Sequence, residues 1–423
     1  MKIKTRYNIR LLLISLILIF SVVNASLRLT ENGMSSIFRI ISPVFILILL
    51  ISNIHRYKNS IIFMLVFYVY SLIVSIYIYN YIAFEYYIFF AYIYIVFILI
   101  KTYKIYALDF KREFFRFLDV ITTISVILCI VQFFVRIPYP HVSLPAERGM
   151  NIFMGNENEM GEPLGCMLIL YTYKYIFEND KSHIVLMILI CGILFCNDAK
   201  LTIIGCAIGI AGLLLLKERK NTGSRLIKTR RYFSARVYVI NIFIVIAISI
   251  ALLYFINPIL VFRDYPISVR ELIFKPIGNI IKLQKVPGSG GSMIDRTNAI
   301  IYGMNELVHS HFAGIGLGNS VTMLAKPEYH LLTAKSMHNL FFQIICEAGI
   351  LGIGLYVYFF IWGIKNTKYI DIENNIILKI IFMVAFIFIS SQSSIGIMSN
   401  YYTWMIVFYV ILIPTSHKKA ISF

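Results

Sequence analysis

The chain has 423 residues, 59% of them hydrophobic, 15% aromatic and only 14% charged. Soluble domains carry about a quarter charged residues, so this composition excludes an ordinary soluble enzyme and indicates a membrane protein. The net charge of +18 does not mark a nucleic-acid binder, because Lys and Arg concentrate in alternate loops, the pattern of the positive-inside rule.

The basic start, Met1 to Tyr7, leads into an apolar run ending at Ser21 to Ser26. An uncleaved first helix is expected there in preference to signal cleavage near Ala25. A helix crosses hydrocarbon with about twenty apolar residues. Runs of this kind place spans near 9–27, 37–54, 61–80, 86–103, 117–135, 161–177, 184–197, 199–216, 237–257, 339–363, 377–394 and 401–415. The seventh and eighth are short and nearly touch.

Orientation follows from the basic residues. With the N-terminus inside, the inner segments hold Arg56 and Lys58, then Lys101, Lys104, Lys111 and Arg112. They also hold Lys217 to Arg236, with eight basic residues, and Lys365, Lys368, Lys418 and Lys419. The short outer loops around Asn80 and Ser399 hold none. The expected fold is therefore an all-α polytopic membrane protein with about twelve transmembrane helices and both termini cytoplasmic. It has an outer loop at 136–160, a basic cytoplasmic loop at 217–236 and a large outer loop at 258–338, between the ninth and tenth spans. That last loop carries eight basic and five acidic residues; loops of its length escape the charge rule and are usually functional. Within it two stretches look helical, 293–311 and 338 onward. All six cysteines lie in or beside apolar runs, with no disulfide framework and no metal-ligand spacing.

The residues that carry chemistry cluster in the outer loops. His338 and Asn339 stand where a helix enters the membrane, with Ser336 as the expected N-cap. A helix N-terminus disfavours the imidazolium, which suits a proton acceptor; an interfacial histidine that merely solvates the helix end is the competing reading. Upstream, Arg296 opens an amphipathic stretch that runs to His309 and His311. Gly314, Gly316, Gly318 and Asn319 follow as alternating glycines, a tight turn without the Lys-Ser/Thr of a phosphate loop. Arg136, Arg148, Arg263, Arg270 and Arg296 fall on the side where positive charge is least expected. The arginine fork binds phosphate or diphosphate in bidentate fashion; lipid headgroups and Asp264, Glu271 and Asp295 are alternative partners. At membrane depth Arg39, Glu162, Asp198, Lys200 and Glu347 are costly, and Glu347 is expected to pair internally, sharing part of a helix face with Gln343 and His338. No HExxH, CxxC pair, Walker motif or Asp-x-Asp site is present.

These motifs together resemble the O-antigen polymerase and O-antigen ligase family of bacterial polysaccharide assembly. The order matches over 292–360: an arginine-bearing helix, a GxGxG-like turn, then His338-Asn339 leading into Glu347, Gly349 and Gly352. A weaker likeness covers 145–216, where Arg148-Gly149 to Phe153 and Asn156-Glu157-Asn158 stand for the family's Arg-Gly…Phe-x-Asn-Pro-Asn. Lys200 stands where the family has arginine, so charge is kept and bidentate geometry is lost.

The resemblance implies glycosyl transfer without a cofactor or metal, on the outer face of the bacterial cytoplasmic (inner) membrane. The donor would be an undecaprenyl diphosphate-linked oligosaccharide, and the acceptor another such glycan in a polymerase or lipid A-core in a ligase. It implies His338 and Arg296 as catalytic, Arg148, Arg270 and Lys200 as diphosphate-binding, and Asn339, Glu347, Gly314, Gly316 and Gly318 as supporting. Membrane lipids, a chain-length regulator and a flippase are the implied partners. Polymerase is the preferred expectation, ligase the alternative. A transporter or lipid-linked sugar flippase fits twelve spans, but not the absence of two similar halves.

Overall fold

The computed structural model describes residues 54–84, 86–87, 107–135, 157–197, 199–221, 259–262, 265–268, 292–329, 337–365, 372–391 and 401–412. The spans expected at 9–27, 37–54, 86–103 and 237–257 lie wholly or almost wholly outside these residues, as do Arg39, Arg148, Asp198, Arg270 and Ser336.

Every other expected span is a helix. They are α1 (Ile54–Val74), α2 (Ala107–Val135), α3 (Glu157–Tyr173), α4 (Ile184–Cys196), α5 (Lys200–Asn221), α8 (Leu340–Lys365), α9 (Ile372–Ile389) and α10 (Tyr401–Leu412). Between α5 and α8 lie α6 (Ser292–His309) and the short α7 (Asn319–Leu324). The all-α expectation needs one correction. Within 258–338, β1 (Ile259–Phe262) and β2 (Tyr265–Ser268) form an antiparallel hairpin, pairing Ile259 with Ser268 and Phe262 with Tyr265. Its β-branched and aromatic residues suit an extended pair.

Two helices widen at their ends. α1 continues as a π turn over Ser75–Tyr79 and stops at Asn80, φ +50°; α3 continues over Lys174–Glu178 and stops at Asn179, φ +56°. Asparagine tolerates the left-handed conformation that such a stop requires.

The described helices carry apolar side chains on their exposed faces as well as in the core, with some polar groups buried among them. On α1, Leu65, Val66, Val69 and Ile73 are exposed while Phe67, Ser71, Val74 and Ser75 are buried. Across the bundle Ser71, Thr122, Ser125, Gln132, Glu162, Thr172, Thr202 and Thr403 are buried. Polar side chains inside and apolar ones outside are what a bundle in hydrocarbon presents. By length and composition one described helix, through Phe114–Gln132, is long and apolar enough to cross a membrane, and five shorter apolar helices accompany it.

Small residues let the helices approach. A Cβ on Gly161 would fall 3.1 Å from the Cβ of Ala199, joining α3 to the start of α5. One on Gly205 would fall 2.7 Å from the Ala385 carbonyl oxygen, and one on Gly212 2.9 Å from Ile381, both on α9. Close backbone approach through Gly and Ala replaces the hydrophobic drive that lipid removes. These contacts, with Ile389 against Gly165 and Gly205, bring the starts of α3 and α5 and the end of α9 to one end of the bundle. At the opposite end His183 stacks on Tyr171 with ring centroids 4.5 Å apart, and its Nε2 lies 3.1 Å from Asp119.

Candidate active site

The site is built around a break in α8. Gly349 has φ +56° and ψ −141°, which no other residue type adopts readily, so the helix is interrupted between Leu340 and Lys365. A regular helix would pair the Ile350 N–H with the Cys346 carbonyl. Here the turn after α6 is inserted instead. Ile350 N–H donates to the Phe312 carbonyl at 3.0 Å, Ile315 N–H to Cys346 at 3.0 Å and Gly316 N–H to Glu347 at 2.8 Å. The backbone groups that the break frees are thereby satisfied.

The alternating glycines explain why this insertion fits. Gly314, Gly316 and Gly318 have φ of +88°, +89° and +80°. A Cβ on Gly314 would lie 2.5 Å from the Glu347 carbonyl oxygen, one on Gly316 would collide with Ser75 Oγ, and one on Gly318 would lie 2.6 Å from Ala83 and Tyr86. The space where a side chain would stand on each glycine is filled by protein, so the turn packs closely against α8, the end of α1 and the residues that follow it. Side chains complete the joint: Leu317 N–H donates to Ser71 Oγ at 3.1 Å, Tyr70 OH to the Ala313 carbonyl at 2.9 Å, and Asn319 Nδ2 to the Ile315 carbonyl at 2.7 Å.

Glu347 is fully buried at this joint. Its Oε1 accepts from Ser320 Oγ at 2.5 Å and from Gln343 Nε2 at 3.0 Å. Pairing inside the protein, on the face shared with Gln343, is the arrangement expected for it. His338 does not share that face: it precedes α8, with φ +46°. Ser336, where a cap is expected, lies outside the described residues. Asn339 caps α8, its Oδ1 accepting from Phe342 N–H at 3.1 Å while its Nδ2 donates to Ser391 Oγ at 2.7 Å beyond the end of α9. An amide at that position satisfies an orphan helix donor and still has a donor to spare. His338 is thus held between the cap and Met337, which is completely buried.

α6 approaches the same region. Ala299, Gly303, Leu307 and Ser310 are buried along one face, and Arg296 continues that stripe one turn earlier. The face meets α8: Cys346 Sγ contacts the Gly303 carbonyl at 3.2 Å, and a side chain at Gly303 would collide with Met337. Arg296 is half-buried and its Nε is sealed from the surface without a hydrogen-bond partner among the described residues. Burial holds its guanidinium below its ordinary value, although an arginine stays charged at any working pH.

Lys200, the first residue of α5, is half-buried at the same end of the bundle as Ser391 and Asn339. The structure therefore brings Arg296, His338, Asn339, Glu347 and the glycine turn into one assembly, with Lys200 at the same end. Arg148 and Arg270 lie outside the described residues. Ser71, Ser75, Ser320 and Ser391 join the assembly without having been singled out in the sequence; serines inside or beside apolar runs were their one signal. Among the described residues no group of three or more His, Cys, Asp or Glu side chains is placed to hold a metal ion.

Buried polar joints and exposed apolar faces define a membrane helix bundle with an inserted loop. Residues 185–357 match the family model described as O-antigen ligase. The match bears out the resemblance to the O-antigen polymerase and ligase family, and it spans α4 through most of α8, including Arg296 and His338. It connects the chain with a membrane-associated family of glycosyl-transfer enzymes in bacterial polysaccharide biosynthesis. No curated protein and no solved structure matches the chain.

Proposed function

We propose that this protein polymerises lipid-linked oligosaccharide repeat units on the outer face of the cytoplasmic membrane. The glycan passes from an undecaprenyl diphosphate-linked donor to the hydroxyl of another lipid-linked glycan. The observation that carries this reading is Arg296, whose buried Nε–H has no partner among the described residues, on the helix face that packs against the His338 segment. A buried donor left open on the helix that packs against the segment holding His338 is suited to hold an anion.

In the reaction the acceptor oxygen attacks the anomeric carbon and the bond from that carbon to the diphosphate oxygen breaks. The electron pair leaves with the polyprenyl diphosphate. The hydroxyl proton passes to His338, which otherwise orients that hydroxyl. Arg296, with Arg148, Arg270 and Lys200, holds the diphosphate and stabilises the charge that develops on it. Asn339 and Glu347 support the site by fixing the start and the break of α8.

The description of the matching family model favours a second reading, a ligase delivering the glycan to lipid A-core. Both are tested by polysaccharide size in a deletion strain carrying wild type, His338→Ala or Arg296→Ala, each at normal membrane levels. Single repeat units from the variants are the expected result. Full-length polymer left unattached to its acceptor identifies the ligase. Normal, attached polymer from both variants removes His338 and Arg296 from the chemistry.

A further inference from the structure

The flank of α6 beside the face that meets α8 carries a second set of groups that the proposed reaction does not use. Tyr302, Glu306 and His309 follow one another at helical spacing along that flank. Tyr302 stacks against Tyr329, from the 3-10 turn Pro327–Tyr329, with ring centroids 4.6 Å apart and planes tilted by 32°. Tyr329 OH donates to Glu306 Oε1 at 3.0 Å, and His309 Nδ1 lies 3.6 Å from the same oxygen. The π turn of α1 closes the patch: Lys326 Nζ sits 5.2 Å above the ring of Tyr79, whose hydroxyl is buried with no hydrogen-bond partner among the described residues. Tyr79, Tyr302 and Tyr329 all pack on the small core that contains Met337, the neighbour of His338.

We infer that this patch is a glycan subsite, binding the sugar rings of the lipid-linked chain beyond the bond that reacts. The inference rests on the proposed function for the identity of its ligand. The three tyrosines are only half-buried, so the ring surface not used in packing is left for the C–H face of a pyranose, with hydroxyls beside it. A carboxylate, an imidazole and an ammonium group beside them supply the few fixed polar contacts that orient a ligand. The charge balance separates this patch from the arginine side of α6. Among the described residues Glu306 and Glu328 outnumber Lys326 as fixed charges here and would repel a diphosphate, so the ligand class is an uncharged or amino sugar. Glu306 and His309 are 24% and 73% exposed, so both reach an arriving chain.

The test uses the full-length protein in detergent and, as probe, the lipid-free repeat-unit oligosaccharide released from the host's own polyprenyl-linked precursor. Titration calorimetry on wild type, Glu306→Ala and His309→Ala gives the affinities; membrane vesicles supplied with the lipid-linked unit give kcat and KM. The expected result is oligosaccharide binding by wild type, weakened about tenfold in each variant, the loss of one or two hydrogen bonds. KM rises correspondingly and kcat stays within about twofold. Absence of binding to wild type, or unchanged affinity in His309→Ala, overturns the subsite. His309 is exposed, so this variant decides the question even if Glu306→Ala fails to fold. Binding by wild type that the variants lose, without any turnover of lipid-linked units, keeps the subsite and overturns the polymerase reading instead.

Discussion

Replacing Gly349 by alanine tests whether the break in α8 is what seats the glycine turn. An L-residue at φ +56°, ψ −141° is strained by about 1–3 kcal/mol. The new methyl would also collide with the Phe312 carbonyl oxygen and lie 2.5 Å from the Ala313 carbonyl carbon. Both are backbone atoms that cannot rotate aside, and overpacking of this kind costs about 1–3 kcal/mol. The two effects together predict a loss of about 2–6 kcal/mol, unless α8 straightens and expels the turn. Straightening would itself forfeit three loop-to-helix hydrogen bonds, each worth about 1 kcal/mol. Gly354→Ala is the control on the same helix, because no atom lies within 4 Å of its Cβ position; it should be neutral or slightly stabilising. The measurement is the thermal unfolding midpoint of both variants in detergent, together with polymer formation in cells. Equal midpoints for Gly349→Ala and Gly354→Ala would refute the argument that the break is a required joint.

Other substitutions probe the same assembly from different sides. Asn339→Ala removes both a helix cap, worth about 1 kcal/mol, and the bond to Ser391, whereas Ser391→Ala removes the second together with an exposed bond to the Ile387 carbonyl and leaves the cap; thermal midpoints should fall more for Asn339→Ala. Glu347→Ala orphans the buried donors of Ser320 and Gln343 at about 1–3 kcal/mol each. Glu347→Gln keeps an acceptor and should retain most of the stability in the same assay. Gly205→Ala presses on the Ala385 carbonyl oxygen and should cost about 1–3 kcal/mol. Gly192→Ala, with open space around it, should gain about 0.5–1 kcal/mol from helix propensity, which a paired unfolding experiment reads directly.

Much of the bundle is visible in the sequence because apolar blocks of membrane length admit one structure. The run at 184–197 becomes α4 at Ile184–Cys196 and that at 401–415 becomes α10 at Tyr401–Leu412. The amphipathic stretch expected over 293–311 is α6 at Ser292–His309. Hydropathy is blind to what happens inside such a block. It carried a single span through Gly349, since a glycine in an apolar run looks like any tolerated small residue until another backbone is found against it. The cap at Asn339 is hard to read for a similar reason: Ser336 and Asn339 both suit the role, and only the bond from Phe342 N–H shows Asn339 filling it. The alternating glycines announced a tight turn, but their partners, Ser75 and Glu347, are distant in sequence, where spacing rules do not reach. The short hairpin at 259–268 was missed because four-residue strands leave almost no periodic signal.

The joint between α1 and the glycine turn also sets the timing of maturation. Leu317 and Ser71 are 246 positions apart, and Ala313 and Tyr70 243. At synthesis rates of about 5–20 residues per second, Ser71 is in place for roughly 10–50 s before its partner is made. The glycine turn therefore docks late in translation, onto a helix made long before. Until then Ser71 and Ser75 already share hydrogen bonds with the Tyr87 hydroxyl, at 3.1 and 2.9 Å, so the turn arrives at polar groups that have a nearby partner.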